Sequence, residues 1–481
     1  MNPLLLRTLA IFLGCSLATS ADWPEFLGPN RDGTSPETGL LDKFPKGGPR
    51  VIWQKDTGIG YAVPSVRCGV LMPVPRNEGE PAEPPRAQDV LVLHHRIGNQ
   101  ELVEAMNAAT GAPFWRYAYP SAYQDPFGYN NGPRCAPLLT AEKCYTLGAE
   151  GVLLCLDVKT GKLIWRRDTA KDFDVPQAFF GVGSSPVLED GKLIVQVGGQ
   201  PDSNIVAFDA ATGKTLWQNG GAKTWDGALM HGWPGEPFVK WDVGHPAFQK
   251  MASYCTPVLA TIHGRRHVLT VTRQGLISLD PATGAHQFSF WFRSSREETV
   301  NAMTPVVSGD LILISSAYYR SGSVLLRVRP DGKGVDEVWR SLALEMHWSQ
   351  PNLVAGHIFA FSGRNEPDAV FRCVEFATGA VKWERDERWP NASHSKLRPG
   401  EAPPNVFGRG STILADGKLI ALGEAGLLGL FKPNADKLDE LARWQVPGLT
   451  YPCWGAPVLA ERRLFLRSES KLICLDLAKR E

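Results

Sequence analysis

Five near-copies of one unit constrain this chain more than any other feature of it: AMNAATGAPFW (Ala105 to Trp115), CLDVKTGKLIW (Cys155 to Trp165), AFDAATGKTLW (Ala207 to Trp217), SLDPATGAHQF (Ser278 to Phe288) and CVEFATGAVKW (Cys373 to Trp383). Weaker copies end at Trp339 and Trp444. Partial ones sit at the chain's two ends, with Trp53 at the front and CLDLAK (Cys474 to Lys479) at the back. Repetition at roughly 50 residues signals an array of similar supersecondary units, each unable to bury its own apolar face alone.

Each copy has the same local grammar. An alternating apolar run such as Leu193-Ile194-Val195-Gln196-Val197 reads as a strand, and Asp-x-x-Thr-Gly then reads as a tight turn into a short outer strand that carries the aromatic residue. Glycine supplies the positive φ, and the Asp carboxylate accepts from the turn's own amides. Asp157, Asp209, Asp280 and Asp476 are therefore turn residues rather than metal ligands. An indole is large enough to fill the gap between one wedge-shaped sheet and the next. The outer-strand aromatics Trp53, Trp115, Trp165, Trp217, Phe288, Trp339, Trp383 and Trp444 give eight such sheets. The predicted fold is an all-β, eight-bladed β-propeller with four-stranded antiparallel blades. Val51-Ile52-Trp53 is an aromatic strand without the three that should precede it, and the C-terminal copy stops before its own. Pairing the two ends closes the ring and leaves few sheet edges exposed.

The unit A-x-D-x-x-T-G-x-x-x-W resembles the tryptophan-docking repeat of quinoprotein alcohol dehydrogenases and of the propeller lipoprotein of outer-membrane protein assembly. The opening WPEFLGPNRDGTSPETGLL (Trp23 to Leu41) further resembles the leader of secreted bacterial proteins with PQQ-binding-like β-propeller repeats. The resemblance covers essentially the whole mature chain and implies the fold. For activity it implies two different things, because the scaffold hosts enzymes and non-enzymes alike. The dehydrogenases hold pyrroloquinoline quinone and calcium near the propeller axis, with an acidic base and often two adjacent cysteines. This sequence has no Cys-Cys pair and no matching set of calcium ligands.

Met1 to Ala21 places Arg7 before the apolar stretch Leu9 to Ala18 and the small residues Ala18 to Ala21, which reads as a signal peptide. Lipidation at Cys15 is the alternative. The mature unit is then 22–481, exported to the periplasm or beyond and expected to be a monomer, with insertions at 73–87, 225–248 and 385–404. The middle insertion carries Trp225, His231, Trp233, Trp241 and His245, and could cap one face or form a partner surface. No other stretch is apolar for long enough to span a membrane. Lys and Arg number 51 against 50 Asp and Glu. That balance creates no global field for nucleic acid.

Of the nine cysteines, removing Cys15 leaves an even number. Cys155, Cys373 and Cys474 occupy equivalent slots in different blades, too far apart to bridge. Buried free thiols are expected, with Cys135 and Cys144 on consecutive strands the one pair worth testing. The ten histidines show no zinc spacing, so no metal site is assigned. Nucleophile-elbow, phosphate-loop and dinucleotide fingerprints are also missing.

The segment ahead of each blade's first strand should face the axial funnel. These segments supply Arg134, Tyr254, Asn301, His347, Trp348, Arg409 and Trp454, and a loop after Phe361 adds Arg364. Such residues suit a carboxylate, a sugar or a quinone through charge, hydrogen bonding and stacking. The sequence thus reads as a binding or scaffold module for a protein, a cell-envelope glycan or a small ligand, with no catalytic residue assigned. The other reading is a divergent quinone-dependent dehydrogenase of an alcohol or sugar.

Overall fold

The computed structural model describes residues 21–74, 83–176, 179–221, 229–230, 239–240, 251–294, 299–390 and 403–480. The signal-peptide assignment therefore lies outside the described residues, as do 75–82, 391–402 and most of 222–250. Of that last insertion only a hairpin, Leu229–Met230 with Val239–Lys240, is described.

Eight four-stranded antiparallel blades follow one another along the chain. Blade 1 comprises Ser65–Met72, Arg86–Ile97, Gln100–Asn107 and Pro113–Pro120. Blades 2 to 7 begin on the strands Leu138–Leu139, Val187–Glu189, Val258–Ile262, Val306–Ser308, Asn352–Val354 and Ser411–Ala415. Blade 8 joins Val458–Ala460, Arg463–Arg467 and Lys471–Asp476 to the N-terminal strand Arg50–Asp56. In that closing pair Trp53 stands opposite Cys474, as Trp115 stands opposite Ala105 in blade 1. The two chain ends thus complete one blade.

The turn chemistry works as the repeat implies. Asp157 Oδ1 accepts from the amides of Lys159 and Thr160 at 3.1 and 2.8 Å, and Asp209 and Asp280 do the same in their turns. Each turn's glycine then abuts the indole of the preceding blade. A Cβ on Gly161 (φ +70°) would lie 2.5 Å from Trp115, so only glycine both takes this backbone conformation and admits the ring. The indole N–H reaches across the same gap. Trp53 donates to Ala108 O at 3.0 Å, Trp115 to Val158 O at 2.8 Å, Trp165 to Ala210 O at 3.1 Å, and Trp217 to Pro281 O at 3.1 Å. Blade 4 carries Phe288, which has no such donor, and there His263 Nε2 meets Val328 O of blade 5 at 3.0 Å. Trp339 and Trp383 make the same bond, to Phe376 O at 2.9 Å and Asn434 O at 2.8 Å, so six blades are latched to the next by an indole packed in the gap and one directed hydrogen bond.

Residues 22–41 form a strap across the ring. Trp23 pairs with Val66 of blade 1, Pro24 O accepts from Leu139 N of blade 2, and Arg31 donates to Leu188 O of blade 3. Thr34–Ser35 then run parallel to the first strand of blade 7, and Leu41 N donates to Leu477 O. One segment thus ties the first strands of four blades together.

All eight described cysteines are free, Cys135 and Cys144 included, and seven of them are buried. Among the described residues no helix is long and apolar enough to cross a membrane.

Candidate functional site

A cavity of about 250 Å³ is lined from the lead-in segments of all eight blades: Tyr61, Arg134, Gly183, Tyr254, Ala302, His347, Arg409 and Trp454. Only the ring's axis lies within reach of every blade, so the cavity sits on that axis. The strap contacts fall further along the same first strands than these lining residues do, and Phe26 of the strap also lines the cavity.

The residues expected from sequence to face the funnel are brought together, with one exception. Arg134, Tyr254, His347, Trp348, Arg364, Arg409 and Trp454 line this single cavity. Asn301 does not, although its neighbours Val300 and Ala302 do. Its Nδ2 donates to the carbonyls of Thr272 and Phe292 at 2.9 and 3.2 Å, and its own carbonyl accepts from Tyr254 N at 3.0 Å. Asn301 therefore binds two loops together and holds Tyr254 in place.

The cavity's cations differ in how they are held. Arg409 is buried between two indoles, its guanidinium carbon 4.3 Å from the ring centre of Trp348 and 5.8 Å from that of Trp454. Its Nη2 and Nε donate to Glu424 Oε1 at 2.6 and 3.1 Å, and its backbone N donates to Oε2 at 2.9 Å. The same Oε1 accepts from Trp454 Nε1 at 2.8 Å. Glu424, 0% exposed, thus fixes the orientation of both an arginine and a tryptophan. Arg134 is paired with Asp125 at 2.7 Å and lies beside the rings of Tyr61 and Tyr123. Arg364 rests over Tyr318 and Tyr319, 4.6 and 4.5 Å from their centres. Among the described residues it has no carboxylate partner.

Burial first, and these charges after it, set the protonation of the neighbouring groups. Burial, with the nearby charges of Arg409 and Arg364, holds His347 well below the usual imidazole range, so it is neutral. Burial likewise pushes the Tyr318 phenol up to about 12 and raises those of Tyr61 and Tyr254. Among the described residues no Asp or Glu lines the cavity. Its wall offers arginines, a neutral imidazole, phenol hydroxyls and aromatic faces.

Several lining residues were not anticipated from sequence: Phe26, Tyr61, Tyr129, Phe180, Tyr318, Gln350 and Tyr451. Tyr61 in GYAVPS holds the same register as Arg134 in NGPRCAP, so the repeat contained that signal. Tyr318 sits in the loop between the second and third strands of blade 5, where the repeat has no register. The rings form a continuous wall. Trp348 meets Trp454 at 5.0 Å and 42°, Tyr61 meets Trp454 at 4.8 Å and 50°, and Tyr318 meets His347 at 5.0 Å and 55°. At the rim, Phe127 and Tyr129 are 54% and 51% exposed and pack on Phe180.

Residues 99–385 match the family described as outer membrane protein assembly factor BamB. The protein of that name from Burkholderia pseudomallei is 30% identical over 124 residues, which is 25% of this chain and 29% of that protein. The quinohemoprotein alcohol dehydrogenase ADH IIB of Pseudomonas putida is 28% identical over 154 residues, 31% of this chain and 20% of that enzyme. The match thus spans less than a third of either relative. Among solved structures, the quinohemoprotein alcohol dehydrogenase of Comamonas testosteroni gives a TM-score of 0.59 at 12% identity, covering 96% of this chain and 81% of that one. This likeness is one of fold.

Proposed function

Because more than half of this chain matches the family of the outer membrane protein assembly factor BamB, to which it therefore belongs, we propose that it is an exported binding module whose axial cavity captures a ligand without transforming it. One observation carries this reading. Among the described residues the cavity wall contains no carboxylate, and the two acidic groups paired with its arginines, Asp125 and Glu424, are each committed to one of them. Among the described residues, a carboxylate base or hard-cation ligand would have to come from those two groups, and freeing either would strand a guanidinium. The unit 22–481 acts as one propeller, with a cell-envelope glycan, a protein or a small molecule as its partner.

The resemblance to quinone-dependent dehydrogenases raises the question of whether pyrroloquinoline quinone and calcium fit this wall. They do not fit the donor set. Calcium takes six to eight oxygen ligands, carboxylates prominent among them, and among the described residues no three His, Cys, Asp or Glu side chains converge. The arginines and indoles would suit an anionic ring, but among the described residues the wall holds no carboxylate to take a proton from an alcohol, and the imidazole of His347, held well below its usual range, is a weak base.

The test is direct. Purified mature protein is incubated with pyrroloquinoline quinone and calcium and assayed for dye reduction with an alcohol panel, and in parallel it is screened against glycan and peptide arrays. The proposal expects no turnover, together with an array ligand whose binding is lost in Trp454→Ala. Turnover with quinone that Arg409→Ala abolishes would overturn it.

A further inference from the structure

Arg364 stands apart from the cavity's other two arginines. Arg134 and Arg409 have carboxylate partners at 2.7 and 2.6 Å, so their charges are neutralised within the protein. Arg364 is held by aromatic faces alone, and its guanidinium lies next to the cavity it lines. An arginine in that setting has its fork of donors available for a bidentate anion, and the tyrosine faces beneath it limit the conformations it can adopt. The neighbouring wall adds donors without partners. Gln350, only 5% exposed, accepts from Thr304 N through Oε1 at 3.2 Å, while its Nε2 has no partner. Trp348 Nε1, a donor, and His347 Nδ1, a donor or an acceptor according to its tautomer, are also buried and unpartnered. Buried polar groups seldom stay unsatisfied unless a ligand or ordered water completes them. Hydroxyl groups would complete donors of this kind.

The shape of the wall narrows the ligand further. Among the described residues every ring contact around the cavity is tilted or edge-on, from 42° for Trp348 with Trp454 to 89° for Tyr451 with Trp454. A faceted, concave set of aromatic faces suits a puckered ring whose C–H bonds point in several directions, each weakly positive hydrogen meeting a negative ring face. A flat ring would use a parallel pair of faces better.

Resting on the reading of this cavity as a binding site, we infer that its ligand is a pyranose sugar bearing an anionic group. Arg364 holds the anion, and the faces of Trp348 and Trp454 hold the sugar. The anion could be a uronate carboxylate or a sugar phosphate, since both match the guanidinium fork.

Isothermal titration of the full mature chain separates these sources and tests the inference. The probes are trigalacturonate, glucose 6-phosphate, the neutral trigalactose and glucose, and a set of peptides ending in free carboxylates. The expected result is that trigalacturonate or glucose 6-phosphate binds at least about ten-fold more tightly than its neutral counterpart. Arg364→Gln should then reduce that preference to less than about three-fold, Arg364→Lys should keep part of it, and neither should shift the thermal midpoint. Equal binding of charged and neutral sugars, or an anionic preference that survives Arg364→Gln, overturns the inference. So does peptide binding in place of sugar binding, although peptide binding lost in Trp454→Ala leaves the binding-module reading intact. No binding by any probe, or binding unchanged in Trp454→Ala, defeats both.

Discussion

Glu424→Gln gives the sharpest test of how the cavity wall is built. Glu424 is fully buried and accepts from Arg409 Nε, Arg409 Nη2, Arg409 N and Trp454 Nε1. Gln keeps the shape but removes the charge, and its amide nitrogen replaces one acceptor, so a buried guanidinium loses its counterion. Breaking a buried pair from one side costs about 3–5 kcal/mol. Unfolding entropy near 2.1 cal/mol/K per residue gives about 1 kcal/mol/K for a chain of this length. The expected drop in Tm is therefore about 3–5 °C, read by calorimetry. Because the single remaining oxygen can serve the Oε1 donors or the Arg409 backbone N–H but not both, and the NH2 group opposes whichever donor it faces, Arg409 should shift between its two indoles and tryptophan emission should change in the native state as well. Arg409→Met alone should also destabilise the protein by leaving Glu424 unpaired, and the double variant should recover much of the loss. A Glu424→Gln protein that melts within 1 °C of the parent with unaltered emission would refute the buried clamp.

Three further outcomes follow from the same physics. Arg467 lies buried at the ring closure and donates to the carbonyls of Ala62, His94 and Gly58; burial lowers it to about 9. Arg467→Met strands those carbonyls and should cost about 3 kcal/mol in denaturant titration. Gly161→Ala forces a side chain into the left-handed region against Trp115, and should cost about 1–3 kcal/mol with a loosened blade 1 to blade 2 contact. Burial, reinforced by Asp368 and opposed by Arg320 and Arg372, pushes the Glu345 carboxyl up to about 7. A folded-state pKa raised above the unfolded one gives stability that is complete in acid and lost as pH rises through about 7. Thermal melts from pH 4.5 to 8 should show that decline, and Glu345→Gln should flatten it.

The ring was legible in the sequence because its latch is local. Thr-Gly and the following Trp lie within one turn and one strand, so Trp165, Trp217 and Trp383 can be recognised without knowledge of their neighbours. The partial copies at the two ends then fix the closure. The cavity was legible only where it shares that register. Arg134, Tyr254, His347, Arg409 and Trp454 precede first strands and were found, and Asn301 shows the limit of this inference. Its position in the lead-in segment was right, but a short amide there turned back to two loop carbonyls. Tyr318, Phe26 and Gln350 enter from a hairpin loop, from the strap and from a residue just beyond the one named. No repeat spacing marks the first two of those places. The pairing of Arg409 with Glu424 was equally hidden, since the partner lies beyond the next hairpin and only folding brings it beneath the guanidinium.

The central claim is that ligand enters the axis of the ring and rests on this aromatic and cationic wall. Hydrogen exchange of the full chain, measured with and without a saturating ligand from the sugar titration, tests it most directly. Protection should appear in the lead-in segments around Arg134, Gly183, His347, Arg409 and Trp454, and in the loop holding Arg364. Protection confined to the outer strands that carry Trp115, Trp217 or Trp383, with the lead-in segments unchanged, would contradict it.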